Sequence, residues 1–560
     1  MKKNFVKSRW LFTMLLFVTT MIMPSMMWAQ ESITPTRPKG DGAENPYQIS
    51  NAAELYWFAG LVNGTLPGGE KNASANAILT KNIIVNEYVL DANKNLVSES
   101  DFIEWTPVGN NIYAYTGTFD GKGYTVSGLY FNNPNSSFVG LFGYIGANGK
   151  ISNVGVLDSY FQFRMYGAGV CGINNGELQN CSNSSTVIGN MEQGIGGVCG
   201  ENDNDGIIEN CFNEGTVSAT TEEGTFVFGG VGGVCGINEM ATIKSCYNTA
   251  SVSGKYAVGG VCGISSRGTT TNCYYLSNTA IGGIGGQDVS GKAEGKSIEQ
   301  FKSGEVAYLL AEGKGVGEQV WGQHLGIDQS PVPGSDYKVI KAAQGDNDTY
   351  WATFSNLKND VTLSVPSESG RTLNVYNATV SGGKMTLTER DNQVAKEEGV
   401  LLKTDGEYVN AKANETNELT KASSDLVATP AEAKTVTAET GYRLYRLTYN
   451  DATNKKGLGF YLGVNKDNNS SDGTSLKATP GKAYLKVSEI AAKAPSSAAL
   501  TRSFVFGGGS ETTGIDGITI MGTDVQRHGS IEGIFDLQGR KISNPTKGIY
   551  IKNNKKVIIK

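Results

Sequence analysis

The sequence predicts an all-β protein, a right-handed parallel β-solenoid with capping helices, followed by a β-sandwich module and a small C-terminal β-sandwich. Three observations carry that prediction. One phrase recurs five times between residues 138 and 275: VGLFG from Val139, GVCG from Gly169, and GGVCG from Gly196, Gly232 and Gly259. A second phrase follows each copy in turn, as ISNVG (Ile151), LQNCSN (Leu178), IENCFN (Ile208), IKSCYN (Ile243) and TTNCYY (Thr270). Beyond Tyr337 the pattern changes to unrepeated, β-rich runs such as Tyr350–Phe354 and Tyr442–Leu447, separated by polar turns; short strands of this kind imply a sandwich.

The cysteines of the first phrase are 28, 36 and 27 residues apart, a period that marks a stacked array rather than a closed globule. Each repeat holds two apolar runs too short for helices, bounded by Gly, Asn and Asp that supply turn conformations. A single turn of this kind cannot bury its apolar face, so the next turn must stack on it.

All eight cysteines lie inside the repeat: Cys171, Cys199, Cys235 and Cys262 in one column, Cys181, Cys211, Cys246 and Cys273 in the other. The first repeat places Phe142 and Val154 there instead, which marks both columns as apolar interior positions. Two readings stand side by side. Unpaired thiols would form two interior ladders, since free Cys packs as a small hydrophobe; alternatively each turn would hold one disulfide, as an exported chain allows. CxxC spacing and neighbouring His are absent, so neither a metal nor a cofactor is expected.

In chain order, residues 1–29 form a signal peptide: a basic start, an apolar run from Trp10 to Met23, and cleavage between Ala29 and Gln30. Residues 30–43 are a linker, and 44–295 form the solenoid. Its N-terminal helix opens at Asn51, with Glu54 reaching back in a capping box, and ends at Gly64. That helix is expected to lid the first turn, because an open strand edge invites pairing with other chains. Residues 296–333 are expected as a second capping helix, opened by Ser297, and an exit linker. The β-sandwich module takes 334–506, with a hairpin at Asp405-Gly406. A flexible linker at 507–514 leads to a terminal domain at 515–560.

Composition limits the partners. The net charge is −6 and becomes more acidic once the basic leader is removed, which speaks against nucleic acid and anionic lipid. No second apolar stretch is long enough to span a membrane. His324 and His528 are the only histidines, and no phosphate-binding glycine loop opens a helix, so acid-base, zinc and nucleotide chemistry have little material. The bend Gly117–Gly123 (GTFDGKG) carries an Asp-Gly turn of the sort seen on polysaccharide-cleaving helices, yet no carboxylate pair accompanies it. Residues 201–206 (ENDNDG) resemble half a calcium loop, but Phe212 stands at the twelfth position where an EF-hand needs Glu. If Phe161, Phe163 and Met165 point inward, alternation places Tyr160 and Tyr166 outside, where their rings either pack at the sheet edge, the favoured reading, or stack on sugar rings.

Two resemblances add to this reading. The repeated phrases resemble the GLUG motif of bacterial surface proteins, which implies a β-solenoid and an adhesin-like role and carries no catalytic residue. Some large proteases share the motif, but no HExxH occurs here. The closing phrases DLQGR (Asp536), GIYI (Gly548) and KKVIIK (Lys555) resemble the C-terminal sorting domain of the type IX secretion system of Bacteroidales-type bacteria. That resemblance implies secretion to the outer-membrane cell surface through the sorting machinery. The expected function is therefore adhesion, with a glycan or a host extracellular-matrix protein as partner. A polysaccharide lyase or glycoside hydrolase on the solenoid, and a passive surface stalk, are the alternatives.

Overall fold

The computed structural model describes residues 33–505 apart from 99–100, 192, 221–228, 346–348, 367–369, 451–456, 465–470, 496–499 and 502, and beyond these the strands at 518–521, 534–535, 541–542, 548–552 and 555–559. The leader with Ala29 and Gln30, and His528, lie outside the described residues.

Residues 47–296 wind into a parallel β-solenoid with four walls. The first wall is an eight-stranded sheet running from Tyr47–Ile49 to Thr269–Thr271. Its central column stacks Phe119, Ile151, Leu178, Ile208, Ile243 and Thr270 in strict register, all buried. The chain then turns a corner at Asn153, Asn180, Asn210, Ser245 and Asn272, each with φ between 51° and 55°. Asn tolerates this left-handed region because its short amide bonds locally. Past the corner, Val154 and the second cysteine column point into the core, and an eleven-stranded second wall begins.

Two five-stranded walls complete each rung, and the glycine phrase is the bend between them. A Cβ at Gly196, Gly232 or Gly259 would lie 1.8–1.9 Å from the carbonyl oxygen of Cys199, Cys235 or Cys262. The paired glycines are thus required by close backbone approach. Immediately after the bend, Phe142, Cys171, Cys199, Cys235 and Cys262 stack in register inside the core.

Helix α1 (Ala52–Asn63) lids the first turns. Phe58 inserts among the interior rings, 6.0 Å from both Tyr115 and Phe119. Asn51 accepts from the Glu54 backbone and Gly64 closes the helix in the left-handed region. The expected capping box is only half made, since the Glu54 carboxylate accepts from Ser50 N–H at 2.6 Å instead of from Asn51.

The C-terminal helices require a correction. Ser297 does make a complete capping box, but Gly304 (φ 94°) breaks the segment into α2 (Ile298–Ser303) and α3 (Glu305–Leu310). Neither sits on the end of the solenoid. They pack sideways on an aromatic column of the second wall, where Phe301, Val306, Leu310 and Trp321 bury Phe212, Tyr247 and Tyr274. The expected linker up to Pro333 is likewise packed: Trp321 donates to Asn210 Oδ1 at 3.1 Å and Tyr247 donates its hydroxyl to the Pro331 carbonyl at 2.8 Å. Three outward aromatic side chains on successive rungs needed an apolar cover, and this segment supplies it.

The module beyond residue 334 is built of packed antiparallel sheets, as expected, arranged in three layers. A four-stranded sheet and a five-stranded sheet flank a six-stranded middle sheet. The middle sheet buries both faces, Phe354, Val400 and Leu402 toward one core and Trp351, Leu401 and Tyr376 toward the other. A strand buried on both faces reads as a continuous apolar run, which is what Val400-Leu401-Leu402 is. Asp405-Gly406 is a sheet-to-sheet crossover rather than a hairpin turn: Gly399–Thr404 lies in the middle sheet and Tyr408–Ala413 in the four-stranded one. The strand Ile518–Met521 pairs parallel with Lys384–Arg390, so the middle sheet takes in residues expected to belong to the terminal domain. At the terminus, Ile534–Phe535, Lys541–Ile542, Gly548–Lys552 and Lys555–Ile559 form a single four-stranded antiparallel sheet.

Two buried asparagine ladders run through the solenoid. Asn174 donates to Asn202 (2.7 Å) and Asn202 to Asn238 (2.9 Å); Asn183 donates to Asn213 (2.8 Å) and Asn213 to Asn248 (2.8 Å). All six are fully buried. Replacing Asn213 with Ala should leave Asn183 and Asn248 without these partners and cost about 2–3 kcal/mol. Hydrogen exchange should show the loss concentrated in the rungs spanning 183–248, with the C-terminal module unaffected.

Candidate functional site

The eight cysteines are free, buried thiols in two separate columns. Each donates to a nearby carbonyl, as in Cys171 to Ile173 (2.9 Å) and Cys246 to Lys244 (3.2 Å). Burial pushes the Cys199 and Cys235 thiols well above their ordinary range, leaving them unreactive. Titration under denaturing, non-reducing conditions should therefore find eight free thiols, whereas the folded protein should react slowly.

The aromatic pair singled out in the sequence is not available to a ligand. Tyr160 is only 7% exposed, stacked on Tyr130 at 6.3 Å, with its hydroxyl donated to Gln162. Tyr166 stacks flat on Phe138 (5.7 Å, 4°) and receives a bond from Gln193 at 2.5 Å. Its ring also abuts Gly194, where a Cβ would lie 2.7 Å from Cδ1. Positive φ at Tyr166 (55°) breaks the alternation, so Met165 is half-buried while Phe161 and Phe163 are fully inside.

Asp120 in the GTFDGKG bend is structurally engaged. Against the desolvation that would raise it, hydrogen bonds from Lys122 and Asn153 hold its carboxyl below the ordinary value. His324 stacks on Tyr337 at 3.7 Å, and burial lowers its pKa. Among the described residues no group of three or more His, Cys, Asp or Glu side chains is placed to hold a metal ion.

The outer face of the first wall is the solenoid's open surface. Thr118, Lys150, Glu177, Ile207, Thr242 and Thr269 align in one row, and Asp120, Ser152, Gln179, Glu209, Lys244 and Thr271 in a second. Lys150 pairs with Glu177 at 2.9 Å, and Lys244 lies 3.8 Å from Glu209 and 3.1 Å from Glu312 of the segment following the C-terminal helices, so opposite charges meet between rungs and across to that segment. These rows place mostly polar side chains of differing charge about every 4.8 Å along the axis, with the exposed Ile207 interrupting the first row. On the neighbouring wall Glu201 is half-buried beside Ile173 and Ile237 of adjacent rungs. Burial first, and then the charges of Asp203 and Glu239, push its carboxyl up to about 7.

The chain is similar to several known proteins. The GLUG motif matches residues 192–218. Halomucin of Haloquadratum walsbyi is 30% identical over 171 residues, which is 29% of this chain and 2% of that one. A protein of Evansella cellulosilytica provisionally named a Gly-rich membrane protein is 33% identical over 82 residues, 14% of this chain and 9% of that one. The chain thus spans a small fraction of both relatives. A crystal structure from Bacteroides ovatus, provisionally named an immunoglobulin A1 protease, aligns over 53% of this chain and 94% of that one, with 19% identity and a TM-score of 0.35.

Because folding raises the Glu201 pKa from 4.5 to about 7, the folded state favours the protonated form, and stability falls as pH rises through that window. Glu201→Gln should flatten this dependence and be more stable than the native chain at pH 8 by about 1–2 kcal/mol, after allowing for partial screening by solvent. Urea unfolding at pH 5 and pH 8 measures both.

Proposed function

We propose that this is a secreted cell-surface repeat protein that binds an extended glycan or an extracellular-matrix protein along its solenoid. The observation that carries this reading is the first wall's outer face, where two in-register rows of mostly polar side chains run along the rungs, broken in one row by Ile207. Weak contacts repeated at fixed spacing add up when the partner is itself a polymer. No described helix is long and apolar enough to cross a membrane, which fits attachment by other means. The leader at residues 1–29 would direct export. The terminal four-stranded sheet would act as the type IX sorting signal through which the chain reaches the outer-membrane surface. The GLUG motif supports the surface assignment.

An array of glycans and matrix proteins probed with the full mature chain tests this. Binding should weaken several-fold when Lys150 and Lys244 are both replaced by Glu, because the charge order of the face is inverted. Absence of binding across the array would favour the passive stalk. Release of reducing ends or unsaturated uronates from any polysaccharide would favour the lyase or hydrolase reading instead.

A further inference from the structure

The C-terminal module contains a cleft of about 410 Å³ where the middle sheet meets the five-stranded outer sheet. Its size lies in the range of small-molecule sites. Its lining is chemically one-sided: Lys341, Arg446, Lys477 and Lys482 contribute to it, and among the described residues no Asp or Glu does. Lys341 is already neutralised by Glu407 at 2.7 Å. The other three cations have no carboxylate partner among the described residues.

Lys482 is the centre of the arrangement. Its backbone is pinned on both sides, with its N–H donating to the Thr429 hydroxyl at 3.2 Å and its carbonyl accepting from Thr429 (2.8 Å) and Ser355 (2.5 Å). The ammonium makes one described contact, a 3.3 Å bond to the Lys341 carbonyl. Two of its three donors are left for another partner. Desolvation, uncompensated by any anion, lowers its pKa to about 8. A cation in this position is costly to the fold alone and is stabilised when an anion arrives. Arg446 and Lys477 stand exposed at the mouth, where they add attraction and fork-shaped donors. Thr448 and Thr479 add hydroxyls to the lining.

We propose that this cleft is a binding site for a small oxyanion, a carboxylate or sulfate group carried on a compact polar molecule of sugar size. The oxyanion takes the free donors of Lys482, Arg446 and Lys477 fix its approach, and the threonine hydroxyls meet the uncharged part. The inference is independent of the solenoid's partner: it concerns a different surface and stands whether or not the array yields a ligand.

Titration calorimetry of the full mature chain with sodium sulfate, D-glucuronate and D-glucose tests it. Sulfate and glucuronate should bind and glucose should not. Tighter binding of glucuronate than of sulfate assigns a contribution to the ring; equal affinities assign the site to the oxyanion alone. Lys482→Met should weaken both anions roughly 10- to 100-fold, as expected for loss of a charge-assisted hydrogen bond. The same variant should keep or raise the melting temperature, because it removes a desolvated charge, so a loss of binding is separated from a loss of folding. Arg446→Gln with Lys477→Gln should weaken binding less and reduce its dependence on salt. Failure of both anions to bind, equal binding of glucose, or unchanged affinity in Lys482→Met would overturn the proposal.

Discussion

Every rung of the solenoid lies in register on the one before it, so each side chain has a near-copy above and below at the strand spacing. That constraint selects which residues a column can hold. Apolar groups stack without penalty, as in the Phe119-to-Ile243 column. Asn stacks because its amide carries both donor and acceptor, so one ladder satisfies every interior member. A thiol stacks as a small hydrophobe while giving its weak donor to its own strand. A like charge over a like charge does not. Lys150 accordingly meets Glu177, and Lys244 meets Glu209.

The same constraint explains the cover on the second wall. Register forces Phe212, Tyr247 and Tyr274 into one outward column, and a column of rings on the surface is an apolar stripe. Helices α2 and α3 and the Trp321 segment fill that stripe and then run into the three-layered module. Asn410 joins the two parts, donating to the Gln323 carbonyl at 2.7 Å and accepting from Leu325 N–H at 2.9 Å. The solenoid and the module are therefore tied by packed side chains and hydrogen bonds. This joins two distinct surfaces, the long first wall of the solenoid and the compact cationic cleft of the module.

Much of the solenoid was legible because its determinants are local. The repeated glycines, the corner asparagines and the alternation of one buried residue with its polar neighbours are all readable within one turn. The asparagine ladders had a sequence signal that went unused: Asn recurs at 174, 202 and 238, and at 183, 213 and 248, at the period of the cysteines. Besides forming turns, a polar residue repeated at the rung period has its own copies as partners. Tyr160 and Tyr166 pack against neighbouring rings, Tyr130 and Phe138, which matches edge packing rather than sugar stacking.

The cationic cleft left no comparable trace. Lys482 and Arg446 are distant in sequence, neither belongs to a motif, and only the meeting of two sheets brings them to one cavity. The sequence by itself determined the stacking architecture, the two interior columns and the change to unrepeated strands, because a repeat specifies its neighbours through its own period. Tertiary structure decided the free state of the thiols, the sideways docking of the C-terminal helices, the doubly buried middle sheet and the cleft. Those depend on contacts between segments with no shared period, whose partners are chosen by shape and burial across the folded chain.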